Sequence, residues 1–178
     1  YATDGNIGGD NTARAAARAL KNKYGFASSR VNLILEPTYQ DFMDGLAWLR
    51  ANADASSSVF VLHSGHGNVG VSGIGAWNWA AELATVKHAQ MAIVFESCYS
   101  ASLIPYLEAD KRVVVASAYG LGATHAGHSS FEELFVIDGL LKGLSIEGCC
   151  RSVVAATGEV HWSDGYLTLA GNSVDLMP

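Results

Sequence analysis

The sequence predicts a three-layer α/β sandwich around a mostly parallel central sheet, and three observations predict it. Short apolar runs at 31–35, 59–62, 91–95 and 113–117 alternate with stretches of helical character. That alternation is the pattern of parallel sheets, whose crossovers are made by helices. The runs 59–62, 91–95 and 113–115 are continuously apolar, as in central strands covered on both faces. With 178 residues, 49% of them hydrophobic and 16% charged, the chain can bury one sizeable core. A single domain over 1–178 is expected, with no internal repeat, low-complexity stretch or linker.

The elements follow in order. Residues 1–10 are polar and Gly-rich and read as loop. A helix is expected over 11–24, because Ala, Arg, Leu and Lys follow one another without a breaker. Asp10 or Asn11 can cap it and Gly25 stops it. Strand 31–35 is closed by Glu36-Pro37. Helix 40–51 carries Phe42, Met43, Leu46, Trp48 and Leu49 at helical spacing, with Thr38 as its cap. Ser56-Ser57-Ser58 leads into strand 59–62, and a Gly-rich loop spans 65–75. A helix over 77–86 precedes strand 91–95, and a short helix over 100–108, disturbed near Pro105, precedes strand 113–117. A loop over 120–129 holds His125 and His128. A helix over 130–141 is capped by Ser130, with Glu132 and Glu133 in its first turn and Gly143 beyond its end. Residues 145–164 show a weak pattern, and 165–170 reads as an edge strand.

Bulk properties exclude some functions. A net charge of −6 argues against a nucleic-acid partner. No apolar run approaches a membrane span, so no membrane partner is expected. Three Cys, two of them adjacent at 149 and 150, do not make a disulfide framework. They read as free thiols in a reducing compartment, which favours the cytoplasm. No signal peptide is visible, and a start at Tyr1 leaves a lost targeting segment open.

The chemistry gathers at two strand ends. Strand 59–62 runs into His63-Ser64-Gly65-His66-Gly67, and strand 91–95 runs into Glu96-Ser97-Cys98-Tyr99-Ser100. In open α/β sheets, sites form beyond the carboxyl ends of the strands. The separation, 98 − 66 = 32 residues, suits a loop, a helix and a return strand. Imidazole and thiol are therefore expected at one rim. Cys98 would be a nucleophile, helped towards thiolate by the helix expected from Ser100. His66 would be base and later acid. The N–H groups of Gly67 and Cys98 would form an oxyanion hole. Continuing the strand's alternation puts Glu96 on the side of Cys98, where a cationic substrate group would pair with it. Ser117, at the equivalent end of the next strand, would line the same pocket. His63 reads as scaffold, Cys149 and Cys150 as non-catalytic, and Trp77 and Trp79 as core more than substrate wall.

On the motifs His-Ser-Gly-His-Gly at 63–67 and Glu-Ser-Cys-Tyr-Ser at 96–100, the sequence resembles the caspase–legumain clan of cysteine peptidases. It looks most like metacaspase-like and other bacterial caspase-like members; metacaspases have a similar Ser-Gly-His-Gly and an acidic residue two before the Cys. The resemblance implies a Cys98/His66 dyad and cleavage of protein or peptide substrates after a residue chosen by Glu96, Arg or Lys in many relatives and Asn in legumain-like ones. The dyad needs no cofactor and no metal, and a calcium requirement is compatible with it. The resemblance also implies a first central strand ahead of Tyr1, supplied by an upstream segment or a second chain. Asp4 would then sit near the rim as a second pocket acid, and a Lys, Arg or Asn before Tyr1 would mark self-processing. Two other classes stay open. One is a zinc-dependent hydrolase using the His-x-x-His pairs 63/66 and 125/128. The other is a non-catalytic caspase-like interaction module, for which Ala101, where the clan often has Gly, and the absent strand speak.

Overall fold

A computed structural model describes residues 9–118, 131–157 and 161–162. Helix α1 (Gly9–Asn22) comes first. Helix α2 (Tyr39–Asn52) opens on a capping box, with Thr38 and Asp41 each accepting the other's backbone N–H. Strand β1 (Ser58–Ser64) follows. The Gly-rich stretch beyond it, expected as loop, is a small antiparallel meander of β2 (Gly67–Asn68), β3 (Val71–Ser72) and β4 (Ile74–Gly75). It turns at Gly70 and Gly73, whose φ values of +69° and +71° suit glycine. Helix α3 (Ala76–Ala84), strand β5 (Gln90–Glu96), the one-turn helix α4 (Ile104–Leu107), strand β6 (Arg112–Ala116), helix α5 (Ile146–Thr157) and strand β7 (His161–Trp162) complete the order.

The main sheet has the order β1-β5-β6-β7. Its first three strands are parallel and β7 runs antiparallel to β6. Alternation along the strands splits the core in two. Ala92, Val94, Val113 and Val115 face α1, residues 131–140 and α5. Met91, Ile93, Phe95, Val114 and Ala116 face α2, α3 and α4. From Met91 to Phe95, β5 is completely buried, as continuous apolar character predicts for a central strand. The architecture is therefore α/β, with helices on both faces of a mostly parallel sheet.

Other segments also differ from expectation. Residues 31–35 form no strand. A 3-10 turn at Ser28–Arg30 leads into an unladdered stretch, separated from β1 by a groove that both line. The helix expected over 130–141 is described from 131 and is irregular. It is a π-helix at Glu132–Ile137, with the Asp138 N–H donating to the Glu133 carbonyl at 2.8 Å, followed by a 3-10 turn at Leu140–Lys142. Gly139 explains the break. A Cβ there would lie 2.2 Å from the Phe135 carbonyl oxygen and 2.7 Å from Cys149 Sγ, so the backbone yields where α5 packs on it. Helix α5 itself falls in the stretch that read as weakly patterned. The edge strand expected over 165–170 lies outside the described residues.

Leu83, fully buried against the α4 side of the core, tests this packing. Leu83→Ala should lower the unfolding free energy by about 2–5 kcal/mol through lost transfer energy and a cavity. Urea unfolding should show that as a lower midpoint at unchanged slope.

Candidate active site

β1 and β5 pair in parallel and end together, with Ser64 opposite Glu96. His66 lies two residues past the first strand end and Cys98 two past the second. The Gly65 N–H still donates to the Glu96 carbonyl at 3.0 Å, so the chains separate only beyond this level. They then meet again. A Cβ on Gly67 would lie 2.3 Å from the Cys98 carbonyl oxygen and 2.9 Å from Ser97 Cβ and Oγ. Only a glycine backbone fits against the Ser97–Cys98 turn. His66 is exposed beside this contact, and Cys98 is half-buried.

The turn that presents Cys98 is held from several sides. Tyr99 adopts φ 58°, ψ 17°, a left-handed conformation that costs a non-glycine residue about 1–2 kcal/mol. Ser100 Oγ accepts the Ala118 N–H at 3.1 Å, and the Ala101 N–H donates to the Ala118 carbonyl at 2.9 Å. Ser72 and Ser97, both fully buried, share a hydroxyl hydrogen bond of 2.7 Å. Ser102 Oγ accepts the Gly70 N–H at 2.7 Å and donates to the Tyr99 carbonyl at 2.6 Å. Trp79 Nε1 donates to the Ser72 carbonyl at 2.9 Å. The β2–β3 turn is thus strapped to the Cys98 turn by two serine bridges. Sequence reading missed Ser72, Ser97 and Ser102; the density of serines around Cys98 was the available signal.

The other expected residues are placed as follows. Glu96 is fully buried, and Ser64 Oγ donates to its Oε2 at 2.6 Å. The strand ends at Glu96 and the chain bends at Ser97, so strand alternation does not carry from Glu96 to Cys98 as expected. The helix expected from Ser100 is a four-residue 3-10 turn running into α4, too short for a helix dipole to act on the thiol. Ser117 is half-buried, its N–H donates to the Phe95 carbonyl at 2.9 Å, and its hydroxyl meets no partner among the described residues. Asp4, His125 and His128 lie outside the described residues.

His63 is on the α2–α3 face of the sheet, packed among Phe42, Trp79 and Phe95 at centroid distances of 5.4, 6.2 and 6.3 Å. Burial holds its pKa well below the usual 6.5, so it is a neutral scaffold residue. His66, by contrast, is exposed. Among the described residues, no cluster of three or more His, Cys, Asp or Glu is arranged for a metal. Cys149 and Cys150 are buried free thiols on α5. Burial pushes Cys149 up to about 12 and Cys150 well above its ordinary value, which makes both inert. Trp79 is core, whereas Trp77 is exposed. No helix among the described residues is long and apolar enough to cross a membrane.

The chain matches no protein-family model and no curated protein.

Two measurements probe this geometry. Ser97→Ala leaves the buried Ser72 hydroxyl without Ser97 and should cost about 1–3 kcal/mol. Ser72→Ala/Ser97→Ala should cost less than the sum of the single changes, and a double-mutant cycle by denaturant unfolding reads the coupling. His63 makes stability depend on pH. Its folded pKa is depressed, so below about pH 6.5 the unfolded chain binds the extra proton. The His63 contribution is complete above pH 6.5 and is lost as pH falls towards the folded pKa, at up to about 1.4 kcal/mol per pH unit. His63→Phe should flatten the unfolding free energy between pH 7.5 and 5.

Proposed function

We propose that this chain is a cysteine endopeptidase with a caspase-like fold, acting on protein or peptide substrates. The observation that carries the reading is the packing of Gly67, next to His66, against the Ser97–Cys98 turn at the shared rim of two in-register strands. In this reading His66 takes the Cys98 thiol proton, and the sulfur attacks the scissile carbonyl carbon. The oxygen becomes an oxyanion, met by the Gly67 and Cys98 N–H groups. Collapse breaks the C–N bond, and the leaving amine takes the proton from His66. Water, deprotonated by His66, then hydrolyses the thioester and restores the thiol. Glu96, the last residue of β5, is in this reading the acid that selects Arg or Lys before the scissile bond. Ser64, its hydroxyl partner, holds the carboxylate until a cationic side chain reaches it.

The test is a panel of fluorogenic peptides ending in Arg, Lys, Asn or Asp. Hydrolysis should favour Arg and Lys. Cys98→Ala and His66→Ala should each reduce kcat by about 10⁴-fold or more with the thermal midpoint retained. Glu96→Gln should reduce the Arg-to-Asn preference more than it reduces overall turnover. A folded protein that cleaves none of the panel, and whose Cys98 no peptidyl electrophile labels, would instead be a binding module.

A further inference from the structure

The Gly-rich meander after His66 has two unlike faces. Its pairs are Gly67 with Ser72, Asn68 with Val71, Val71 with Gly75 and Ser72 with Ile74. Alternation puts Gly67, Ser72 and Ile74 on one face and Asn68, Val71 and Gly75 on the other. The first face is the packed one, where Ser72 and Ile74 are buried and Ser72 is bonded to Ser97. The second faces solvent. Val71 is 42% exposed, and a Cβ on Gly75, its cross-strand partner, would meet nothing within 4 Å. The turn between β2 and β3 adds Val69 at 54% exposed, and the first turn of α3 adds Trp77 at 76%. The Ala76 N–H donates to the Gly70 carbonyl at 2.7 Å, so α3 begins beside this turn.

Single apolar side chains scattered over a surface are ordinary, but three gathered around one turn form a patch. Tryptophan is highly buried on average and is enriched among the anchors of binding surfaces. The patch carries no charge, since the sequence from Ser64 to Ala81 holds no Asp, Glu, Lys or Arg. Its backbone is also fixed. The Gly70 N–H donates to Ser102 Oγ at 2.7 Å, the Gly70 carbonyl accepts from Ala76, and the Val69 N–H donates to Asn68 Oδ1 at 2.8 Å. A turn held in this way loses little freedom when something binds to it.

We infer, resting on the cysteine peptidase reading above, that Val69, Val71 and Trp77 receive an apolar or aromatic side chain from the part of the peptide substrate that follows the scissile bond. In that reading His66 gives its proton to the leaving amine, so the half of the substrate that departs passes His66. The chain beyond His66 is the meander itself, and Gly67 lies hard against the Cys98 carbonyl. From Gly67, one strand step of about 3.3 Å and one strand spacing of about 4.8 Å lead to Val71. Extended peptide covers that distance in about two to three residues. Glu96 would therefore choose the residue before the bond, and the patch one of the first three after it. A charged side chain at that place would lose water and find no partner, so an acidic or basic residue is disfavoured.

The test uses internally quenched peptides that share one sequence up to an Arg and continue with Phe-Leu-Phe, Ser-Gly-Ser or Asp-Glu-Asp, beside a short reporter whose leaving amine is a dye. The 178-residue chain should favour Phe-Leu-Phe over Asp-Glu-Asp by about tenfold or more in kcat/KM. Trp77→Ser and Val71→Ser should each bring that preference towards unity. Both side chains are exposed, so the thermal midpoint should hold. Each variant should lose about tenfold on the Phe-Leu-Phe peptide and far less on the short reporter. Equal losses on the two substrates would overturn the inference, and so would equal cleavage of the three peptides by the unaltered chain. Binding of the labelled Phe-Leu-Phe peptide to the Cys98→Ala chain, read by fluorescence anisotropy, separates this inference from the peptidase reading. Binding that Trp77→Ser weakens, in a chain that cleaves nothing, would sink the peptidase reading and keep the surface. Cleavage indifferent to Trp77 would do the reverse, and a chain that neither cleaves nor binds would overturn both.

Discussion

The parallel register of β1 on β5 is the constraint on which the rest depends. It sets Ser64 opposite Glu96 and so brings both strands to an end at one level. A slip of one residue would send every side chain of β1 to the other face. His63 would leave its aromatic surroundings, and Ser64 would leave the carboxylate it serves. Burial of these side chains therefore fixes the register, and the register fixes which backbone atoms emerge together beyond the sheet. The contact of Gly67 with the Ser97–Cys98 turn follows from it.

Above the sheet, hydroxyl groups take over from apolar packing. Ser64 serves Glu96, Ser72 serves Ser97, Ser100 serves Ala118, and Ser102 joins Gly70 to Tyr99. Each bond contributes only about 1 kcal/mol net, but an unsatisfied buried group costs more. Such bonds consequently act as constraints on geometry more than as sources of stability. They hold Tyr99 in a left-handed conformation that a tyrosine would not choose alone. Strain retained beside a half-buried cysteine is what a preorganised turn looks like.

The parallel core and the placement of the two motifs at one rim were legible in the sequence. Apolar runs too short for helices left few alternatives for 59–62, 91–95 and 113–115. The failures have separate causes. Residues 31–35 have strand composition but pair with nothing in the described sheet, and pairing is a tertiary property. Helix α5 buries Ile146, Cys149, Cys150 and Val153 at the spacing of one helical face. It becomes legible once cysteine is counted as a small hydrophobe. The irregular stretch near Gly139 follows from the approach of Cys149, 10 residues on in sequence, which no local pattern records. At the rim, alternation was carried two residues too far past Glu96, because nothing in Glu-Ser-Cys signals that the strand stops at its first residue.

The two candidate catalytic residues hang from unequal supports. Cys98 follows β5, which is buried along its length and flanked on both sides. Its turn is bonded to Ala118 on one side and to the β2–β3 turn on the other. His66 follows β1, which is half-covered and, among the described residues, lies at the edge of the sheet. Local opening in proteins tracks how many buried contacts an element makes, so the His66 side of the rim opens at lower free energy than the Cys98 side. The serine bridges offset this asymmetry. By tying the meander after His66 to the turn after Cys98, they link the weaker support to the stronger one. The geometry of the pair then depends less on the edge strand than its position in the sheet alone would dictate.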